Sequence, residues 1–219
     1  MNNVRLYGPK WSAYVRTVRL FLIEKEVEYE LLEVDFSNGV MPDAQFKRHP
    51  FGKVPALDHD GYQLYETTAI GRYIDAAFPG PSLQPTDSRA LGRMAQIIAI
   101  LDAYISEEIR MGVVNEGLIK PMIKSACNQE RLDKAFQSVA ASFRALSDCT
   151  VPGDFLVGDT VTLADLHAAP LFEYLTWTPG GADLVKSFPV LHNWWTGISD
   201  RPSIMNTTPD LSAFVKTKH

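Results

Sequence analysis

Basic clusters, long apolar runs and cysteines are all scarce in this chain of 219 residues. Its 21 Lys and Arg are outnumbered by 26 Asp and Glu, which leaves a formal charge of −5 and no basic surface typical of proteins that bind nucleic acid. No run of about 18 apolar residues occurs, and the first residues lack the apolar segment of a signal peptide. We therefore expect a cytoplasmic protein without nucleic-acid or membrane partners.

The cysteines and histidines follow no pattern that binds metal. Cys127 and Cys149 are 22 residues apart, which is outside the CxxC and zinc-ligand spacings. The five histidines form neither an HxxxH nor an HExxH pattern. The sequence indicates two reduced thiols and predicts no metal site.

Up to about residue 80, strand and helix periodicities alternate. The predicted order is a strand at 4–7, a helix at 13–26, a strand at 28–34, a hairpin formed by 54–57 and 63–65, and a helix at 67–78. The hairpin turns at Asp60-Gly61, because this pair tolerates the positive φ of a two-residue turn. A βαβ unit followed by a ββα unit predicts a small α/β domain of thioredoxin type.

The remainder of the chain has helical periodicity. Three prolines and a glycine in residues 79–85 end the preceding helix and indicate a linker. Apolar residues then recur at helical spacing, at positions 91, 94, 95, 98, 101 and 105. We predict an α/β domain at 1–80, a linker at 81–88 and an all-helical domain at 89–219.

Ser12 lies where the first strand gives way to a helix. Its hydroxyl could cap the first turn by accepting a backbone N–H. It could equally donate to a ligand held at the positive end of the helix dipole. The residues alone leave both interpretations open.

Two further segments could bind a ligand. Pro55 either lies on an edge strand, or follows a cis bond that turns the Val54 N–H and C=O toward an extended peptide. Thr67 or Thr68 could cap the next helix. The free N–H groups of that first turn could instead bind a carboxylate, while Glu66 accepts from an ammonium. An α-amino-acid head group carries both charges.

Taken in order, these motifs resemble the glutathione transferases. The matching elements are Ser12 to Arg19, similar to the S-x-x-x-x-x-V-R start of a helix, then Gly52-Lys-Val-Pro55, Asp60-Gly61, and Glu66-Thr67 in place of the commoner Glu-Ser. Thr162-Leu-Ala-Asp165 resembles the buried capping box of that family, and residues 188–203 resemble its ending. The likeness extends from about residue 4 to 208 and indicates a serine-type member, of a bacterial or phi/theta/tau-like cytosolic class.

The resemblance implies a homodimer that binds glutathione, γ-Glu-Cys-Gly, as co-substrate. It implies that the γ-glutamyl group binds at Glu66 and Thr67, the cysteinyl backbone at Val54 before a cis-Pro55, and the glycyl end near Lys53. Ser12 would be the catalytic serine, donating a hydrogen bond to the sulfur. Three departures stand out: His49 replaces the usual asparagine before proline, the 40–44 loop lacks a His-Lys pair, and no proline follows Ser12.

Two tyrosines are rivals for the role of Ser12. Tyr7 ends the first strand, and Tyr14 lies within the first turn of the helix. The spacing of Ser12 and Arg19 favours the serine. In the family that the chain resembles, branches with thiol–disulfide chemistry carry a cysteine near this position, and here no cysteine precedes Cys127. The resemblance therefore disfavours that chemistry and favours addition or substitution by a bound thiolate.

Other roles follow only from the resemblance. Trp11, Tyr104 and Met111 are candidates for lining the electrophile pocket, although each could instead pack in the core. Asp102, which interrupts the apolar stripe of the long helix, could reach the glutathione amine of the partner subunit. Phe214 could cover the pocket, whereas His167 is interpreted as a core histidine.

The leading hypothesis is a glutathione S-transferase that stabilises the thiolate and conjugates it to small hydrophobic electrophiles, as in detoxification. A glutathione-dependent isomerase or peroxidase would use the same thiolate with a different second pocket. A non-catalytic binding module on the same fold is a third possibility. The identity of the electrophile is not encoded in any of these motifs.

Overall fold

The computed structural model of the protein describes residues 3–36 and 39–211. It consists of two compact units. One contains the chain up to Leu83 together with Pro202–Asp210, and the other contains Gln84–Arg201 together with Leu211. The first has a thioredoxin-like fold and the second is helical, so the predicted fold class is confirmed.

Four short strands form the sheet of the first unit: β1 Val4–Tyr7, β2 Glu30–Leu32, β3 Ala56–His59 and β4 Tyr62–Tyr65. Their order is β2-β1-β3-β4, with β1 parallel to β2 and antiparallel to β3. Asp60 and Gly61 both have positive φ, 52° and 88°, so the predicted two-residue turn joins β3 to β4. Leu6 and Leu57 are paired in the sheet and fully buried.

The helices of this unit are α1 Ala13–Glu24, α2 Asp43–Arg48 and α3 Thr67–Ala77. Helices α1 and α3 pack closely where Phe21 of α1 meets Gly71 of α3. A Cβ at Gly71 would lie only 2.6 Å from the Phe21 ring. Helix α2 is missing from the predicted order, since its six residues are too few to display a helical apolar stripe.

Among the described residues of the second unit, all the named elements are helical. They are α4 Ser88–Ile100, π-helical turns at Leu101–Ile105 and Glu108–Ile119, α5 Lys120–Met122, α6 Gln129–Cys149, α7 Leu163–Thr176, α8 Gly181–Lys186 and α9 Pro189–Ile198. Helix α7 is central and almost wholly buried, and the ring of its Phe172 stacks on that of Phe143 from α6, with the ring centres 4.9 Å apart. Throughout the described ranges, each helix is too short or too polar to cross a bilayer.

Helix α10, Pro202–Met205, belongs to the first unit, although the sequence analysis assigned these residues to the second domain. Its contacts give the reason. Ser203 donates a hydrogen bond to the carboxylate of Glu24, and the Thr207 carbonyl accepts one from Arg19. Both partners lie on α1, so the chain returns to pack against that helix.

The predicted capping box at the start of α7 is confirmed. The Thr162 side chain accepts from the backbone of the first turn, and the Asp165 carboxylate accepts from the Thr162 N–H at 2.8 Å. That carboxylate also accepts from Leu156 N–H and Trp194 Nε1–H, each at 2.8 Å. One buried acid therefore fixes the start of α7 to a preceding loop and to α9.

Candidate functional site

Ser12 is the N-cap residue of α1 and is only partly buried. Its Oγ accepts from the Val15 N–H at 3.5 Å, which is at the long limit for a hydrogen bond. A hydroxyl that accepts keeps its own O–H available to donate. The geometry is thus compatible with a weak cap and with donation to a ligand at the same time.

The rival tyrosines have different surroundings. Tyr7 ends β1, and the guanidinium carbon of Arg48 lies 4.0 Å from the centre of its ring. This cation–π contact ties the ring to the last turn of α2. Tyr14 is a half-buried residue in the first turn of α1.

Gly8 brings the first turn of α1 close to the loop before β3. It has φ of +147°, and a Cβ there would lie 2.4 Å from Val15 Cγ2 and 3.1 Å from the Val54 Cβ. A larger residue at this position would clash with the Val15 side chain and press on that of Val54. Sequence reasoning missed Gly8, although a glycine directly after a strand is a recognisable signal of close approach.

The Val54–Pro55 peptide bond is cis, as the resemblance implied. Within residues 3–36 and 39–211, the Val54 N–H donates no backbone hydrogen bond and the Val54 C=O accepts none. Strand β3 begins only at Ala56. Val54 therefore presents a backbone donor and acceptor beside the first turn of α1.

Lys53 is exposed, and its backbone carbonyl accepts from Gln45 Nε2 at 2.7 Å. The Gln45 side chain is fully buried on α2. This single bond attaches the Lys53–Val54 loop to α2. Gln45 could not be recognised from the sequence, because a polar residue in a six-residue helix has no distinguishing pattern.

Neither Thr67 nor Thr68 occupies the N-cap position of α3, which was one of the two interpretations left open. Glu66 occupies that position with φ 71° and ψ 114°, and its side chain makes no capping hydrogen bond. Glu66 is the only residue between the end of β4 at Tyr65 and the start of α3, so Thr67 is already helical. The first-turn N–H groups are left for another acceptor, and the Glu66 side chain beside them is 63% exposed.

His49, one of the departures from the family pattern, is a neighbour of Glu66. Its ring is almost fully buried, and its centre lies 6.1 Å from that of Phe51 and 4.8 Å from that of Tyr65. The Nε2 atom lies 4.0 Å from Glu66 Oε1. Burial lowers the pKa of His49 below its ordinary value, and Lys53 lowers it further, against the opposing effects of Glu66 and the residue's own backbone.

The aromatic and methionine candidates differ in exposure. Trp11 is half-buried, with an edge contact to Phe36 at 5.5 Å. Tyr104 and Met111, on the π-helical turns, are 66% and 48% exposed, so neither packs in the core. Phe214 lies outside the described residues.

His167 is a core histidine with a partner, as its surroundings in the sequence suggested. It is buried in α7, and its Nε2 lies 2.8 Å from Asp102 Oδ1. The Asp102 side chain is 39% exposed. The acid in the apolar stripe therefore both reaches solvent and has a partner.

The chain is similar to known proteins over almost its whole length. A family described as glutathione S-transferase, N-terminal domain, matches residues 6–82, and one described as glutathione S-transferase, C-terminal domain, matches residues 109–202. The probable glutathione S-transferase GSTF1 of Oryza sativa subsp. japonica is 30% identical over 213 residues, which cover 93% of this chain and 94% of that protein.

Two further similarities agree with these. Glutathione S-transferase F12 of Arabidopsis thaliana is 28% identical over 207 residues, covering 91% of this chain and 94% of that protein. The solved structure of glutathione S-transferase III in apo form superposes with a TM-score of 0.83 at 28% identity, covering 95% of this chain and 99% of that chain.

Proposed function

Because this chain belongs to the glutathione S-transferase family, we propose that it binds glutathione and conjugates its sulfur to small hydrophobic electrophiles. The observation that carries the proposal is that the Ser12 hydroxyl is accessible and weakly bonded. Its hydroxyl is partly exposed at the N-terminus of α1, and its capping contact at 3.5 Å is too long to occupy it fully.

Thiol activation is the chemical task of Ser12. A free thiol has a pKa near 8.5, so only a few per cent is thiolate at neutral pH. A hydrogen bond from the Ser12 O–H and the partial positive charge of the α1 N-terminus both favour the anion. Lowering the thiol pKa by one to two units requires about 1.4 to 2.7 kcal/mol, which such contacts can supply.

The remaining groups of glutathione match the charges along the first unit. The γ-glutamyl ammonium is proposed to bind the Glu66 carboxylate, and its carboxylate the first-turn N–H groups and hydroxyl of Thr67. The cysteinyl backbone would pair with the N–H and C=O of Val54, which make no backbone bond elsewhere in the described chain. Lys53, exposed beside it, would bind the glycyl carboxylate.

The electrophile is proposed to contact Trp11, Tyr104 and Met111. These side chains offer exposed or half-buried apolar surface, which suits an apolar ligand. A homodimer and a cytoplasmic location complete the proposal, with Asp102 of one protomer near the glutathione amine of the other. The 39% exposure of Asp102 supports this role, because its outer side is accessible despite the bond to His167.

Conjugation rates measured with a panel of apolar electrophiles, including an activated aryl halide, test the proposed activity. We expect product with the wild type and a loss of roughly 100-fold or more in kcat for Ser12→Ala, comparable to the loss of one oxyanion donor. Asp87→Ala is the matched control, because Asp87 caps α4 with two bonds of 3.0 Å. Absence of any conjugate from a protein that binds glutathione would refute the transferase activity.

A further inference from the structure

His49 is held rigidly beside the proposed γ-glutamyl site. Its backbone N–H donates to the Gln45 carbonyl at the end of α2, and its carbonyl accepts from the Gly52 N–H, each at 2.8 Å. Its ring contacts both Phe51 and Tyr65, which also contact each other, and it is almost inaccessible to solvent. Burial and these aromatic contacts restrict the movement of the ring.

The two ring nitrogens of His49 face different surroundings. Nδ1 is buried and forms no hydrogen bond within residues 3–36 and 39–211. Nε2 points toward Glu66, with 4.0 Å between Nε2 and Oε1. That gap is too long for a hydrogen bond, but the Glu66 side chain is exposed and can rotate to close it. The ring cannot move in the same way.

The surroundings favour the neutral imidazole with its proton on Nε2. Protonation of both nitrogens would bury an N–H at Nδ1 without a well-aligned acceptor. The charged groups that act on the ring are Glu66 at the start of α3 and Lys53 before β3. Lys47 and Arg48 are in the last turn of α2, and the Arg48 guanidinium lies over the Tyr7 ring. The hydroxyl-bearing ring of Tyr65, at the end of β4, contacts the imidazole as well.

We propose that neutral His49 positions the Glu66 carboxylate, by donating a hydrogen bond from Nε2, so that it can bind the ammonium of a γ-glutamyl ligand. This role rests on the proposed function, which assigns that ammonium to Glu66. His49 is a positioning residue and does not touch the reacting sulfur. An asparagine amide in the same place could also donate a hydrogen bond to Glu66, but the imidazole of His49 titrates and an amide does not.

A consequence distinguishes this role from simple packing. When His49 is protonated, a second cation lies next to Glu66 and competes with the ligand ammonium. Affinity for γ-glutamyl ligands should therefore fall as the pH is lowered through the pKa of His49. The pH dependence reports the charge of His49 beside Glu66, and the loss of affinity on removing the Nε2 donor at neutral pH reports the hydrogen bond.

Calorimetric Kd values for S-methylglutathione at pH 7.5 and 5.5 test the proposal. This ligand has no titrating thiol, and α-carboxylates of peptides stay ionised above about pH 5. For the wild type we expect weaker binding at pH 5.5 by less than about tenfold, because tenfold is the limit for a histidine with the ordinary pKa of 6.5 and burial lowers the pKa of His49. His49→Gln keeps an N–H donor without titrating, so we expect wild-type affinity at pH 7.5 and less than about a twofold change at pH 5.5.

His49→Leu removes the donor at similar volume, and we expect binding several-fold weaker than wild type at both values of pH. His59→Asn is the matched control. His59 is the last residue of β3, at the end away from Lys53 and Val54, and its Nδ1 bonds the Tyr73 hydroxyl and not Glu66. The Kd values of His59→Asn should follow the wild type. The role of His49 is overturned if both His49 variants keep the wild-type pH dependence, or if His49→Leu binds as tightly as wild type at pH 7.5. A wild type that binds no S-methylglutathione would instead refute the glutathione site itself.

Discussion

The Nε2 atom of His167 on α7 lies 2.8 Å from Oδ1 of Asp102 on the π-helical turns. His167 is buried, whereas Asp102 retains 39% of its side-chain exposure. The imidazole therefore anchors the inner side of a carboxylate whose outer side reaches solvent. This explains how an acid is tolerated in the apolar stripe of a long helix.

Removing the acid should leave the buried imidazole without this acceptor. We expect Asp102→Ala to lower the free energy of unfolding by about 1 to 3 kcal/mol, and Asp102→Asn by less, because its amide oxygen still accepts. Urea denaturation of the wild type and of each variant measures these changes in the free energy of unfolding. Asp133→Ala, which removes an exposed acid from α6, should stay within about 0.5 kcal/mol of wild type. An Asp102→Ala variant as stable as Asp133→Ala would contradict the anchoring role.

The capping-box acid Asp165 is fully buried, so its removal should cost more stability than that of Asp102. Its carboxylate accepts from two backbone N–H groups, the Thr162 hydroxyl and the Trp194 indole. Asp165→Ala leaves all of these donors buried and unpaired, so we expect a loss of about 3 kcal/mol or more. Asp87→Ala, which removes an exposed cap from α4, should cost only about 1 kcal/mol in the same denaturation series. Equal losses for the two variants would show that the network around Asp165 adds nothing to an ordinary cap.

Much of the fold was predictable because its elements have strong local signals. Strand periodicity identifies Val4–Tyr7, and the Asp60-Gly61 pair identifies a turn because both residues tolerate positive φ. The capping box is identified by Thr162 and an acid three residues later, Asp165. Helix α2 gave no such signal, and the return of Pro202–Asp210 to the first unit depends on side-chain bonds to α1. Tertiary contacts of this kind are not encoded in local periodicity.

The candidate site was predictable only as a set of separate segments. Ser12, Val54 and Glu66 could be singled out because each lies at a strand or helix end with unpaired backbone groups. The positive φ of Glu66, the attachment of the Lys53 carbonyl to Gln45 and the approach of His49 to Glu66 all required the three-dimensional structure. They depend on which side chains from distant segments meet.

Glu66 combines backbone strain with a proposed ligand contact. A non-glycine residue at φ 71° and ψ 114° is sterically costly, by about 1 to 3 kcal/mol. We expect Glu66→Gly to leave the free energy of unfolding unchanged or higher by up to about 1 kcal/mol, because glycine accepts this conformation. Affinity for glutathione should nevertheless fall, since the carboxylate is lost.

Thermal unfolding and glutathione titration of Glu66→Gly measure the two effects separately. Glu26→Gly is the matched control, because Glu26 also has positive φ, 55°, but lies after the end of α1 and not at the start of α3. It should gain stability without losing affinity. A Glu66→Gly protein with lower stability would contradict the strain at this position.

The neutral state of His49 should also appear in the stability of the protein. Its pKa is lowered in the folded state from the ordinary 6.5, chiefly by burial, so the unfolded chain binds a proton more readily there. The contribution of His49 to stability is therefore complete above pH 6.5 and is lost as the pH falls below it. We expect the free energy of unfolding to fall more steeply between pH 6.5 and 5 in the wild type than in His49→Gln, measured by urea denaturation at each pH. Parallel curves would show that folding does not hold His49 neutral.

The thiolate absorbance of bound glutathione, followed against pH in the wild type and in Ser12→Ala, is the most direct test of the proposed chemistry. We expect the bound thiol of the wild type to titrate about one to two units below the free value of 8.5, and that of Ser12→Ala to titrate close to it. Asp87→Ala should behave as the wild type. Bound glutathione with an unshifted pKa, or a Ser12→Ala protein that titrates like the wild type, would contradict the assignment of Ser12 as the group that stabilises the thiolate.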